Sequence, residues 1–172
     1  MAKTNGFIGI DYAQNILQAL VGNRSQIAFS SSVYMALFSE KPTANSSGNY
    51  NISEIEPVGN GYKRQFIGMS NSTSLFNVYP STSTVDSETG DISITNTNQI
   101  KFDKATGNWT ATKGDKEDGK TKLTWFGLMS AQTNGNLIFA GQLNSAVTVG
   151  ENESVNIAAG DAIITLASTA VI

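Results

Sequence analysis

Val33-Tyr-Met-Ala-Leu-Phe-Ser39 decides the fold. A half-buried strand alternates apolar and polar residues. Here both parities are apolar: Val33, Met35 and Leu37 on one, Tyr34, Ala36 and Phe38 on the other. That pattern predicts a central strand covered on both faces. Downstream, short segments of strand-like composition recur at 62–67, 75–79, 92–95, 99–102, 124–130, 137–143, 147–149, 155–157 and 163–166. Turn residues separate them, among them Glu56-Pro57, Gly59-Asn60-Gly61 and Thr133-Asn134-Gly135-Asn136. The last of these is a strong hairpin signal. Nine or ten short strands with regular turns predict a mainly β chain. The expected fold is an antiparallel β-sandwich, jelly-roll-like or Ig-like, with one short N-terminal α-helix.

That helix is predicted at 12–21, with Asp11 as N-cap, Gln14 completing a capping box and Gly22 as the stop. Tyr12, Ile16 and Leu20 repeat at four-residue spacing, with Ala13, Leu17 and Val21 beside them, giving a wide apolar face. Either the face packs on its own domain or it docks on a neighbouring subunit. The segment is apolar out of proportion to its length, and it precedes a domain with enough strands to close its own core. Residues 1–30 are therefore expected to be a helical attachment segment and 31–172 the sandwich domain. Tyr12, Ile16, Leu17 and Leu20 are its candidate interface residues.

The 172-residue chain carries 11 Lys+Arg, 14 Asp+Glu, no His and no Cys, for a net charge of −3. Without Cys there is no disulfide, thiolate nucleophile or Cys-bound metal, and without His no imidazole base or Ser-His-Asp triad. The acidic balance argues against nucleic acid as a partner. The N-terminus lacks a signal-peptide h-region, since Asp11 interrupts Phe7, Ile8 and Ile10, and no apolar run is long enough to cross a membrane. Ser, Thr and Asn number 19, 17 and 17. This composition suits strands and turns, or a surface packed against other protein copies where few charges need desolvation.

Few residues suggest chemistry. Gly59-Asn-Gly-Tyr-Lys-Arg64 begins like a dinucleotide loop, but no helix pattern follows. The acids at Glu54/Glu56, Asp86/Glu88/Asp91 and Asp115/Glu117/Asp118 sit in polar loops, and neither acidic turn has the spacing of an EF-hand. Six Asn-x-Ser/Thr sequons occur, where about three or four would arise by chance, and without a secretion signal they are not expected to be glycosylated. No cofactor or metal is expected, and no catalysis. Residues 113–122 hold seven of the 25 charges and no apolar side chain, so they are expected to form an exposed, mobile loop. Trp109 and Trp125 suit core or interface anchors better than a sugar-stacking surface. Tyr62 is expected to pack inward. Arg64, on the same face of a strand, is expected to pair with a carboxylate or carbonyl at the sheet rim, or else to contact a partner subunit.

Several runs occur together in order: Tyr12 through Gly22, Tyr34 through Ser39 with Pro42, Glu56-Pro57, and Gly61-Tyr62-Lys63-Arg64. Next come Ile100-Lys-Phe-Asp-Lys-Ala-Thr-Gly-Asn-Trp109, Trp125 through Gly141, and Ala159 through Leu166. Together they resemble small virion proteins of tailed bacteriophages, described as tail-fibre, head-fibre or capsid-decoration proteins. The sequence departs from that pattern in the charged stretch 113–122 and the polar stretch 81–98, and either Trp109 or Trp125 fills the family's Trp position. The resemblance implies a non-enzymatic structural subunit, made in the host cytoplasm and located in the virion. Its implied partners are copies of itself and other virion proteins. The alternative is a host-surface or carbohydrate-binding module on a fibre.

Overall fold

The computed structural model describes residues 6–20, 32–69, 84–85 and 92–166. In chain order its elements begin with β1 (Gly6–Ile8), α1 (Ile10–Leu20), β2 (Ser32–Phe38), α2 (Ile52–Ile55) and β3 (Gln65–Met69). Short strands follow: β4 (Thr84–Val85), β5 (Ile92–Thr95), β6 (Ile100–Lys101), β7 (Lys116–Glu117) and β8 (Lys120–Thr121). Two long strands, β9 (Leu123–Met129) and β10 (Leu137–Val147), precede β11 (Asn156–Ile157) and β12 (Ile163–Leu166). The chain is mainly β, and among the described residues every strand pairing is antiparallel.

The principal sheet runs β1-β10-β9-β2-β3. β2 lies inside it, with Ala36 opposite Gly127 and Phe38 opposite Trp125 on one side and Tyr34 opposite Phe66 on the other. Its two apolar parities serve two cores. Met35 and Leu37 join Ile67, Phe126 and Leu128 in one core with Ile100 of β6 and with Phe102, Trp109, Val149 and Ala162 of the connecting segments, and Ile157 of β11 and Ile164 of β12 pack against it. Ala36 and Phe38 join Met129, Leu137 and Ala140 on the opposite face, covered by Ile55 of α2 and by Phe7, Tyr50 and Ile52. The two-sided hydrophobicity of residues 33–39 thus reports a sheet buried on both faces.

Two glycines allow close approaches in this sheet. Gly9 separates β1 from α1, donates its amide to Ile138 O at 2.8 Å and accepts from Ala13 N at 2.9 Å. A Cβ there would sit 1.8 Å from the Leu137 carbonyl oxygen, so only glycine lets the helix start against β10. The helix therefore begins before Asp11, which lies in its first turn and favours the positive end of the helix dipole, instead of acting as N-cap. In β9, Gly127 lies under Phe38, where a Cβ would approach Cε2 to 2.3 Å.

Three further expectations are corrected. Residues 62–64 are not strand: Gly59, Asn60 and Gly61 all have positive φ (72°, 50° and 80°), and this turn delays pairing with β2 until Gln65. Residues 147–149 are not a separate strand: Val147 ends β10, and the Val149 carbonyl accepts from Trp109 N at 2.9 Å. Residues 113–122 are not a loose loop. They form the β7–β8 hairpin, turned by Asp118 and Gly119 at φ 49° and 73°, a two-residue turn with both φ positive. Thr121 is fully buried there. It donates its amide to Trp109 O at 3.0 Å, and its hydroxyl accepts from Ala111 N at 2.9 Å. A polar side chain that satisfies buried backbone docks this charged segment without apolar residues. The expected strand at 75–79 and the expected helix stop at Gly22 lie outside the described residues.

Gly127→Ala is expected to cost about 1–3 kcal/mol in chemical unfolding, from overpacking against Phe38. The double variant Gly127→Ala/Phe38→Leu should then be more stable than the sum of the two single changes. Strict additivity would refute the steric account.

Candidate functional site

A groove of about 800 Å³ opens between α2, the 57–64 turn and the hairpin tip joining β9 to β10, with Asp11 of α1 also lining it. One wall exists because Asn134 and Gly135 both take positive φ (55° and 75°), closing the tip with Ser130 N donating to Asn136 O at 3.0 Å. The opposite wall exists because the chain at Asn51 turns into α2, which delivers Glu56 immediately after its last turn.

Arg64 joins the two walls. Its Nε donates to Glu56 Oε1 at 2.8 Å and its Nη2 to Glu56 Oε2 at 2.6 Å, a bidentate charge-assisted pair. Its Nη1 donates to Ala131 O at 2.9 Å and to Asn134 O at 2.5 Å, both at the hairpin tip. Tyr62 adds a third partner. Its hydroxyl donates to Glu56 Oε1 at 2.9 Å and accepts from Leu37 N at 3.0 Å, anchoring the cluster to β2. The Tyr62 ring packs edge-on against Trp109, with centroids 5.1 Å apart. Burial, and then the Glu56 carboxylate, push the Tyr62 phenol well above its ordinary value near 10.

The expectation that Tyr62 packs inward and Arg64 pairs with a carboxylate and carbonyls therefore describes this cluster. The pairing is not at an exposed rim, however, since Arg64 is only 6% exposed. The helix residues go elsewhere. Tyr12 is buried, Ile16 half-buried and Leu17 62% exposed, while the Leu20 side chain lies outside the described residues. α1 thus anchors through Tyr12 and presents Leu17 outward. In the sequence Glu56 reads only as turn punctuation with Pro57 and as a polar-loop acid beside Glu54; instead it is buried as the partner of Arg64. An acid eight residues before an Arg across an irregular turn has no periodicity to reveal it.

Among the described residues no three Asp or Glu side chains converge as a metal site. Of the two acidic turns, 86–91 lies outside the described residues. Residues 115–119 belong to the β7–β8 hairpin, where Glu117 pairs with Lys122 at 3.4 Å. Trp109 is wholly buried and donates its indole N–H to Asn60 O at 3.2 Å, a core anchor. Trp125 is half-buried beside Phe7 on the other face.

Arg64→Met is expected to destabilise the fold by about 3–5 kcal/mol, because Glu56 is left buried and unpaired. Arg64→Met/Glu56→Gln should recover a large part of that loss. If the double variant is no more stable than Arg64→Met, the pair is not the source of the cost. Alkaline titration tests Tyr62. Its phenol has a higher pKa folded than unfolded, so the unfolded chain loses the proton first. The Tyr62 contribution to stability is thus intact below pH ~10 and drains away as the pH rises through the folded pKa. Tyr62→Phe should flatten that alkaline loss, while costing about 1–3 kcal/mol at neutral pH for the orphaned Leu37 amide.

No described helix is long and apolar enough to cross a membrane. No curated protein matches the chain. A family model does, over residues 10–165, a span that runs from the first residue of α1 into β12 and includes every residue of the Arg64 cluster. The model is that of the podophage GP4 fiber I protein gp80. A match over that span covers far more than half of the chain, and with it the chain belongs to this family of phage virion fibre proteins.

Proposed function

We propose that this protein is a non-enzymatic structural subunit of a podophage fibre, acting through contacts with other virion proteins and with copies of itself. The family supports a structural role in the virion, and its description favours a fibre over capsid decoration. Residues 31–172 form the projecting body and residues 1–30 the attachment segment, with Ile16, Leu17 and Leu20 as its contact residues. The observation that carries this reading is the division of α1. Tyr12 is only 7% exposed, whereas Leu17, on the same helix, is 62% exposed. Because β1 pairs with β10 and Gly9 docks α1 on the same strand, the contact face is held rigidly by the body. Rigidity lowers the ordering cost of association, and repeated copies multiply a modest contact by avidity. Arg64 has no part in this interface, since its donors are committed to Glu56 and the hairpin carbonyls. Within the groove Glu56, Tyr62 and Arg64 are committed to one another and to backbone groups, which supports a structural role for this cluster.

Leu17→Asp tests the proposal. An exposed substitution should change unfolding stability by no more than about 0.5 kcal/mol, yet the variant should be depleted from purified particles produced with it as the sole copy. Side-chain-resolution imaging of wild-type particles should place α1 against a neighbouring subunit. Normal incorporation of Leu17→Asp, with α1 facing solvent in the particle, would overturn the attachment role.

A further inference from the structure

We propose that Asn134-Gly135 is a covalent modification site: the pair deamidates through a succinimide, and the isoaspartate formed releases the β9–β10 tip from Arg64. The chemistry needs only water. The Gly135 backbone nitrogen gives up its proton and bonds to the Asn134 side-chain Cγ. The Cγ–Nδ2 bond breaks, and that nitrogen leaves as ammonia with the proton. Water then opens the five-membered imide. Cleavage at Cγ gives aspartate. Cleavage at the backbone carbonyl gives isoaspartate, whose chain runs through the former side chain and is one methylene longer. No oxidation state changes.

An Asn-Gly pair favours this attack because glycine has no side chain to crowd the nucleophile. Three such pairs occur, Asn5-Gly6, Asn60-Gly61 and Asn134-Gly135, and Asn5 lies outside the described residues. The fold treats the other two differently. The Asn60 side chain donates to Asn108 O at 2.6 Å, and its carbonyl accepts from the Trp109 indole and from Thr106 N. Asn134 is exposed, and neither its side chain nor the Gly135 amide makes a hydrogen bond among the described residues. Electrophile and nucleophile are both unengaged. The turn also holds the pair in the sequence. At Gly135, with φ 75°, a Cβ would lie 2.8 Å from Ser130 Oγ and 2.9 Å from Ala131 N, so glycine is required where it makes the linkage labile.

Arg64 is the latch. The left-handed region occupied by Asn134 has ψ of about +30 to +60°, which sets the Gly135 nitrogen on the far side of the Cα–C bond from Cβ. Ring closure needs both on one side. That rotation swings the Asn134 carbonyl oxygen off Arg64 Nη1, its donor at 2.5 Å. Reaction of the folded chain therefore passes through a local opening of the tip. The added methylene of isoaspartate shifts the carbonyl within a turn only two residues long, so the opened tip does not relatch.

The test is incubation of the full chain at about pH 8.5 and about 37 °C, with peptide mapping of the ~1 Da mass gain and of isoaspartate at each Asn. In the folded chain Asn134 should react at least about threefold faster than Asn60, and in urea the two rates should converge to within about twofold. Arg64→Lys should speed Asn134 about three- to tenfold and Asn60 by less than half that factor, which separates latch release from global loosening that quickens both alike. The wild-type ratio is read whether or not the variant folds. The purified isoaspartyl form should exchange the Ser130 and Asn136 amide hydrogens about tenfold faster than the fresh chain. Four results would overturn the proposal: Asn134 intact in the folded chain while the urea-unfolded chain reacts, Asn60 reacting as fast as Asn134 in the folded chain, equal acceleration of both by Arg64→Lys, or unchanged amide exchange in the isoaspartyl form.

Discussion

A guanidinium can donate five N–H bonds, and Arg64 uses four of them to tie Glu56 and the β9–β10 tip to its own segment of chain. Glu56 follows α2, Ala131 and Asn134 sit at the β9–β10 tip, and Tyr62 lies in the irregular turn before β3. With Arg64 in place, the edges of a two-sided core are closed and the groove has fixed walls. A buried ion pair seldom adds much to stability compared with an apolar replacement, because desolvation cancels most of the Coulombic gain. Here its geometric effect is the larger one. A Met or Leu could fill the same volume, but it could not orient two carbonyls and a carboxylate at once.

The sequence is legible where a physical period exists. β2 declared its double burial through two apolar parities, and Asn134-Gly135 declared its hairpin because a two-residue turn with positive φ needs such residues. β3 was misjudged because Tyr62 and Arg64 have the spacing of strand residues while Gly59-Asn60-Gly61 steers them off the ladder. The charged hairpin was misjudged for a different reason. Its buried contact is a threonine that bonds backbone at both its amide and its hydroxyl, and no hydropathy scale registers that. The candidate site was half legible. Inward packing of Tyr62 and pairing of Arg64 followed from residue type, whereas the identity of Glu56 and the existence of a groove depend on tertiary closure.

The composition can now be assigned to physical work. All four described non-glycine residues with positive φ are Asn or Asp: Asn60, Asp118, Asn134 and Asn152. These side chains tolerate the left-handed region better than other non-glycine residues. Asn96 does another kind of work. Only 1% exposed, it donates to Asn98 O and Ala158 O and accepts from Ala162 N, pinning the loop before β12 to the end of β5. Asn60, Asn134 and Asn152 thus serve tight turns, and Asn96 a buried loop.

That assignment bears on how a fold with so few charges keeps a specific shape. Short strands give each pairing little hydrogen-bonding length, so the turns carry a larger share of the specification than they do in long-stranded sheets. Asn60 shows the coupling. In its left-handed conformation it donates its side-chain amide to Asn108 O at 2.6 Å, and its own carbonyl accepts both from the Trp109 indole and from Thr106 N. One turn residue thus fixes the rotamer of the largest buried side chain and the path of the chain on either side of it. Trp109 in turn packs on Tyr62, whose hydroxyl holds Glu56 for Arg64. Turn chemistry, aromatic core and ion pair form one chain of dependence, and the groove is shaped at its end.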